Sequence, residues 1–227
     1  VGADRRAQLH RRVAVALAGQ PGAEPGEVAA QYFASTALRG AEAGAPFALR
    51  AAARAEAQAA DALAARQLRI AYALSPPGME RALIACRLAL AEAAALHLEE
   101  AEDMALRAST ELHDAVAPAR DIADFLGRAS QRLQEHGAMR NAWEPLARRA
   151  VALCGDERDL TWARLQLLSE RFEPVETGVV HVSRWLGTDA EALAILRREG
   201  SEEDRARTLQ PYEHRTPAET TAVLAAL

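Results

Sequence analysis

The chain has 227 residues and a net charge of −5. It contains 27 arginines and no lysine. This excludes a Walker A phosphate loop, a Schiff-base lysine and a kinase-type lysine, each of which needs that side chain. Ala and Leu supply 55 and 28 residues, and Ala favours helices over strands, so a helical protein is expected.

Charge, hydropathy and cysteine content further restrict the class of protein and its expected location. The mild negative charge favours a soluble protein with no general affinity for nucleic acid. No run approaches 18 consecutive apolar residues, so no transmembrane helix is expected, and the predicted location is the cytoplasm. Cys86 and Cys154 lie far apart and are predicted to be small core residues. Because the start lacks an initiator Met and an apolar signal segment, we expect a processed chain or a piece of a longer one.

Apolar periodicity and Gly/Pro breaks divide the first half of the chain into short helices. The helix over residues 5–18 is predicted to have one apolar side, which carries Leu9, Val13, Ala16 and Leu17. Later helices are predicted over about 27–37, over 46–74 with an interruption near 58–61, and from Met79 onward. The segment Ser75-Pro76-Pro77-Gly78 separates the last two.

The second half continues this pattern as far as Phe172. Helices are predicted over about 99–110, 119–135 and 141–154. Gly137 and Gly155 are predicted stop residues, and Asp156 is predicted to cap a helix that runs to about Ser169.

After Phe172 the sequence changes in character. The β-branched run Val175–Val182 predicts a short strand or an extended loop. Two capping boxes then predict helix starts, the first at Thr188–Glu191 and the second at Thr216–Glu219. The helix that begins at the first box should end at Gly200.

Short helices separated by tight breaks suggest an α-solenoid, and one known solenoid spacing fits. The tetratricopeptide pattern places small residues where the two helices of a repeat cross, and Ala52 and Ala64 fit these positions. It then requires a bulky residue, another Ala and a Pro that ends the second helix. Leu68, Ala71 and Pro76 fit these three positions. A second candidate repeat contains Ala101, Ala105 and Ala108, after Leu88 and Ala89. A third contains Ala142, Leu146 and Ala150. The equivalent positions Ala64, Ala101 and Ala142 are 37 and 41 residues apart, a drift that suits a divergent array and also an irregular bundle.

Three segments carry a resemblance to a known class of proteins. The segments L9-H-R-R-V-A-V-A-L17 and G26-E-V-A-A-Q-Y-F33, with the Ala-rich repeat, resemble the helical region of large bacterial ATPase regulators of the LuxR-type and nucleotide-cyclase-associated kinds. The tail S183-R-W-L-G187, followed by E202-E-D-R-A-R-T-L209 and R215-T-P-A-E-T220, is similar to a segment that recurs after such repeats. The resemblance implies the sensor and scaffold portion of a signal-transduction or transcription regulator. It implies no catalytic or cofactor residue in this chain, because the nucleotide-binding module lies elsewhere.

An acidic cluster supports a competing interpretation. Glu99, Glu100, Glu102 and Asp103 lie within about one helical turn, where carboxylates can hold a divalent cation. The favoured interpretation is a solvated helix start, since acids there suit the helix dipole and aromatics for an apolar pocket are few. The six histidines form no HExxH motif and no Cys/His metal spacing.

Arginines and tryptophans supply the remaining candidates. The first helix carries four arginines interpreted as a solvated face, with phosphate contact or docking to an upstream module left open: Arg5, Arg6, Arg11 and Arg12. Trp143 and Trp162 are predicted core residues. Trp185 is a candidate partner-binding anchor, because aromatic side chains dominate protein interfaces. Arg184 and Tyr72 are further candidates for partner binding.

The sequence therefore predicts an all-α, tetratricopeptide-like solenoid of helix hairpins over 41–170, with a helical lead-in over 1–40 and a helical C-terminal cap region over 171–227. The expected function is a non-catalytic scaffold, without cofactor or metal, that senses a protein or peptide in a concave groove. A small-molecule effector and a homo-oligomer stay open, and direct nucleic-acid or membrane binding is not expected. The alternatives are a small all-α enzyme in which Glu99–Asp103 and the region near Asp121 line an apolar pocket, and an all-α ligand-binding dimeric regulator.

Overall fold

The computed structural model describes residues 2–170 and 182–202, with the side chains of residues 170 and 182–190 left out. In this part of the chain every regular element is helical, which confirms the all-α prediction. A 3-10 helix at Ala41–Gly44 accompanies the α-helices α1 Ala3–Ala18, α2 Pro25–Phe33, α3 Ala45–Ala57, α4 Asp61–Leu74, α5 Met79–Ala94, α6 Leu98–Asp114, α7 Ala119–Glu135, α8 Arg140–Leu153, α9 Leu160–Glu170 and α10 Val182–Glu199. Among the described helices, none combines the length and apolarity needed to cross a bilayer.

The described residues form two compact units. The first contains the chain up to Pro118 together with Gln131–Trp143, and the second contains Ala119–Ser130 together with the described residues after Trp143. The first unit holds α1 to α6 and carries the features that bear most on function.

Within the first unit, each helix from α1 to α6 packs against the next one in the chain. The connections after α3, α4 and α5 are short, so consecutive helices there pair as antiparallel hairpins. The interruption predicted near 58–61 lies between α3 and α4, and the predicted Ser75–Gly78 break lies between α4 and α5. Both predictions are confirmed.

Small side chains fill the contact between α3 and α4. The buried positions of these two helices include the predicted crossing residues Ala52, Ala64, Leu68 and Ala71, joined by Ala48 and Ala55. Methyl groups let two helix backbones approach closely, because the distance between packed helices depends on the side chains at the contact. The Ala content of this segment is therefore a packing requirement as well as a helix preference.

The α5/α6 hairpin repeats this arrangement after 37 residues. Helix α3 ends at Ala57 and α5 at Ala94, while α4 begins at Asp61 and α6 at Leu98. Six of the buried positions of the first hairpin recur, in order, as the buried residues Ala85, Ala89, Glu92, Ala101, Ala105 and Ala108. In the predicted third candidate Leu146 and Ala150 are buried as expected, whereas Ala142 is half-buried and its neighbour Trp143 is buried.

Four helices end with the same backbone hydrogen bond, in which the second residue after the C-cap position closes back onto the last turn. Each bond is 2.9 Å long: Ala60 N–H to Ala55 C=O, His97 to Glu92, Ala117 to Leu112, and Ala138 to Leu133. The residue before each donor has a left-handed backbone, namely Ala59, Leu96, Val116 and Gly137. Gly137, a predicted stop residue, is the one glycine of the four.

Val116 is the least suited to that backbone, because a β-branched residue is strained at its φ of 60°. Its side chain is 87% exposed, so it contributes little packing. Val116→Gly is therefore expected to raise the free energy of unfolding by about 1 kcal/mol, after the entropy cost of glycine in the unfolded chain. Urea denaturation measures the change, and Gly137→Val should lower stability. A loss of stability in Val116→Gly would contradict this account of the helix end.

The orientation of α1 differs from the prediction. Leu9 and Val13 are 48% and 44% exposed and Ala16 is exposed too, whereas the side that packs on α2 contains Ala7 and Ala14. Leu17, the fourth residue of the predicted side, is half-buried and packs against the core as expected. Hydrogen bonding and the close packing of small side chains determine this orientation of α1. His10 Nδ1 lies 2.7 Å from Gln31 Oε1, and the small Ala side chains allow a close approach.

Arg11 lies on the same packed side of α1 and is correspondingly not a solvated residue. It donates to Ser35 Oγ at 3.0 Å and to the Arg39 carbonyl at 2.7 Å, and its guanidinium lies over the Tyr32 ring. These bonds satisfy polar groups beyond the end of α2, which itself ends at Phe33, four residues earlier than predicted.

Two helix starts were also predicted wrongly. Helix α9 begins at Leu160 and is capped by Asp159, whose Oδ1 accepts the Trp162 N–H at 2.9 Å, so Asp156 is not the cap. Helix α10 begins at Val182 and continues through Thr188, because backbone bonds within a continuing helix replace the bonds that a capping box would supply.

Three further predictions concern the C-terminal part of the chain. The predicted end at Gly200 is confirmed, since its N–H bonds back to the Leu196 carbonyl. The capping box at Thr216–Glu219 and residues 175–181 of the predicted extended run Val175–Val182 lie outside the described residues, while Val182 is the first residue of α10.

Candidate functional site

The exposed sides of α3 and α5 are joined by an ion pair. Arg87 Nη2 lies 2.9 Å from Glu56 Oε2, and both side chains are about two-fifths exposed. We call the surface formed here the α3/α5 face and define it by Arg50, Ala53, Glu56, Leu83 and Arg87. Because these residues come from the first helix of each hairpin, the ion pair places neighbouring hairpins side by side.

The α3/α5 face combines an exposed arginine with an exposed apolar side chain. Arg50 is exposed and lies over the Phe47 ring at 4.4 Å, and within the described residues no carboxylate pairs with it. Arg87 is the equivalent of Arg50 at the 37-residue interval, but Glu56 neutralises it. Leu83 is 53% exposed, one turn before Arg87. An acidic, partly apolar peptide would find complementary groups on this surface.

The second helices of the two hairpins are joined by Tyr72. Its hydroxyl donates to Glu111 Oε1 at 2.6 Å, and Arg81 donates to the same carboxylate at 3.0 and 3.1 Å. Burial, followed by the bond to Glu111, raises the pKa of Tyr72, so the hydroxyl keeps its proton and remains a donor. Tyr72 thus links α4 to α6 inside the fold, and its predicted role in partner binding stays a prediction.

A buried carboxylate lies between α4, α5 and the start of α6. The Glu92 side chain is 2% exposed and pairs with Arg69, whose Nε and Nη2 each lie 2.6 Å from one of its oxygens. His97 Nδ1 lies 2.8 Å from Glu92 Oε2 and 3.2 Å from Arg69 Nη2. Periodicity alone did not reveal this cluster. The 37-residue spacing could have revealed it, because Glu92 occupies the position of Ala55 in the preceding hairpin.

The acidic cluster has the exposure of a solvated helix start. Glu99, Glu100 and Asp103 are exposed on the first turns of α6, and Asp121 is exposed on α7. Glu102 is half-buried, and this burial, with Asp103 and Glu99 nearby, raises its pKa. Within the described residues no group of three or more His, Cys, Asp or Glu could hold a metal ion.

A shallow cavity of about 340 Å³ lies elsewhere in the first unit. Its lining comes from the segment after α2 and from the end of α4: Thr36, Ala37, Leu38, Arg39, Ala41, Glu42, Ala73 and Leu74. None of the acidic residues of α6 lines it.

The remaining predicted residues are accounted for as follows. Trp143 and Trp162 are buried, and so are the free thiols Cys86 and Cys154, which confirms all four as core residues. Arg184 and Trp185 lie in the first turns of α10, and their side chains lie outside the described part of the structure.

Comparisons of the chain with protein-family models, with curated proteins and with solved structures find no match.

Proposed function

We propose that the chain is a non-catalytic scaffold, built as a tetratricopeptide-like stack of helix hairpins, that binds a peptide segment of another protein on the α3/α5 face. The observation that carries the proposal is the 37-residue repeat of buried positions and helix ends in α3/α4 and α5/α6. Proteins built from such repeats use the extended surface of successive equivalent helices for binding.

Two polar links between alternate helices support the stacked arrangement. Glu56 of α3 pairs with Arg87 of α5, and Tyr72 of α4 bonds to Glu111 of α6. Each link brings two alternate helices together at one point, while consecutive helices pack along their length. Contact between alternate helices is a feature of stacked hairpins, and it supports a binding surface that extends from α3 to α5.

The chemistry of this face selects an acidic peptide with at least one apolar side chain. Arg50 offers a guanidinium that can bond a carboxylate through two parallel N–H groups. Leu83 offers apolar surface that is otherwise exposed to water. The Glu56–Arg87 pair of the same face carries no net charge and would fix the orientation of the bound segment.

We also propose that this scaffold is the helical sensor region of a bacterial ATPase regulator in the cytoplasm. Its support is the resemblance of the segments 9–17, 26–33 and 183–187, together with an all-α unit of short hairpins. In such an assembly the peptide partner would be another regulatory protein.

Selection from a displayed library of random short peptides tests the proposed binding face. Acidic peptides with apolar residues should be enriched on the wild-type chain, and Arg50→Glu with Leu83→Ser should weaken their binding by about tenfold or more. Fluorescence anisotropy of the enriched peptides gives the dissociation constants.

A matched control uses the same two residue types on α4. Arg66→Glu with Leu63→Ser alters an exposed Arg and an exposed Leu on the second helix of a hairpin, away from the α3/α5 face. The control variant should bind the selected peptides as the wild-type chain does. Equal losses in both variants, or enrichment of basic peptides, would contradict the proposed binding face.

A further inference from the structure

Helix α1 carries an exposed apolar stripe. Leu9, Val13 and Ala16 follow each other at intervals of four and three residues, which places them in one line along the helix. Leu9 and Val13 are nearly half exposed, and the side of α1 that packs on α2 is a different one. The stripe is narrow, and its spacing is that of a seam between two helices.

Three arginines border this stripe. Arg5 and Arg12 lie along one edge and Arg6 lies along the other, as the 100° rotation per residue requires. All three are exposed, and among the described residues none of them pairs with a carboxylate. Arg11 differs from these three arginines because it is hydrogen-bonded within the fold, to Ser35 Oγ and to the Arg39 carbonyl.

We propose that this stripe of α1 is a docking site for a helix of a partner protein, one that presents an apolar seam flanked by Glu or Asp on both sides. The apolar residues would bury against the seam, and the carboxylates would meet Arg5, Arg12 and Arg6. Flanking charges of this kind set partner choice between paired helices. This site is separate from the α3/α5 face, so it does not depend on the function proposed above.

The charges and the width of the stripe exclude two other occupants. Pairing of α1 with α1 of a second copy would bring six arginines together without carboxylates, and like charges across a helix interface are destabilising. A membrane surface prefers a wide apolar face with large side chains, whereas this stripe has one Leu, one Val and one Ala.

Two synthetic helical peptides provide the test. Both have Leu at the a and d positions, and one has Glu and the other Lys at the flanking e and g positions. Repulsion between like charges hinders each peptide from pairing with itself. Anisotropy titrations with the 227-residue chain should give binding of the Glu peptide that is about tenfold or more tighter than that of the Lys peptide.

Three variants locate the binding. Leu9→Ser with Val13→Ser should weaken binding of the Glu peptide by about tenfold or more, while Val15→Ser, which alters an exposed valine outside the stripe, should leave it unchanged. Arg5→Glu, Arg6→Glu and Arg12→Glu together should reverse the preference in favour of the Lys peptide. The Arg50→Glu, Leu83→Ser variant should bind the Glu peptide normally, which separates this site from the α3/α5 face.

Several results would overturn the proposal. One is equal binding of the two peptides, and another is an equal loss in the Val15 control. Binding of phosphatidylserine vesicles that needs Leu9 and Val13, without binding of the Glu peptide, would assign the stripe to a membrane surface. Sedimentation showing a dimer that the Leu9→Ser, Val13→Ser variant abolishes would assign it to a second copy of the chain.

Discussion

Arg69→Met is expected to lower the free energy of unfolding by about 3 kcal/mol, because it removes the cation from a carboxylate that water cannot reach. Glu92 is 2% exposed and takes two bonds from Arg69, while His97 Nδ1 lies 2.8 Å from one of its oxygens. Met keeps much of the apolar stem of Arg, so the loss reports the missing charge. The penalty comes from the unpaired Glu92 and not from Arg69, which is nearly half exposed.

Chemical denaturation of single and double variants measures this effect. Arg69→Met with Glu92→Ala should recover most of the lost stability, since it removes the buried charge and installs the residue found at the equivalent Ala55. Arg66→Met, on the same helix and exposed, should change stability by less than about 0.5 kcal/mol. If Arg69→Met were as stable as the wild-type chain, Glu92 would have to be hydrated in the native state.

Gly44→Ala is expected to cost about 3 kcal/mol because the site has no room for a methyl group. Gly44 lies at the junction of the 3-10 helix and α3 with an ordinary φ of −78°, so backbone strain does not contribute. An added Cβ would overlap Tyr32 Cβ and would lie 2.9 Å from Tyr32 Cγ and 2.8 Å from Leu74 Cδ1. The Cβ of Tyr32 is fixed by the backbone of α2, so relief requires α2 to move away from α3.

Thermal and urea unfolding measure the loss, and Gly127→Ala is the matched control. A Cβ at Gly127 would meet Leu165, mainly at the end of its side chain, which can change rotamer. We expect this control to lose about 1 kcal/mol. If Gly44→Ala were no more costly than Gly127→Ala, the close contact of Gly44 with Tyr32 would not hold α2 in place.

Most helices and several of their ends could be predicted from the sequence because local chemistry determines them, whereas the end of α2 and the starts of α9 and α10 differ from the prediction. Ser75-Pro76-Pro77-Gly78 separates α4 from α5, and Gly137, Gly155 and Gly200 follow helix ends. The crossing positions Ala52, Ala64 and Ala71 could be predicted as well, since small residues at a fixed spacing are what closely packed helices require.

Choices between two faces of one helix could not be predicted in the same way. Leu9 and Val13 look like core residues, yet α1 turns Ala7, Arg11 and Ala14 toward α2. The orientation depends on polar bonds to Ser35 and to the Arg39 carbonyl, more than 20 residues away in the chain. Long-range bonds of this kind leave no periodic signal in the sequence.

The residues of the candidate sites could not be predicted for the same reason. Arg50 and Leu83 look like ordinary surface and core residues, and only the Glu56–Arg87 bond reveals that their helices are neighbours. Glu92 looks like a surface acid, because nothing near it in the sequence indicates that Arg69 neutralises it from another helix.

The buried Glu92 also affects how reliably the chain assembles. Ala-rich helices with nearly identical contact residues can associate in the wrong order or slip by one turn, at little cost in apolar contact. A slipped or exchanged pairing of α4 with α5 would leave Glu92 buried without Arg69, and that penalty would be several kcal/mol. The single charged residue among interchangeable alanines therefore distinguishes the native pairing from its mispaired competitors.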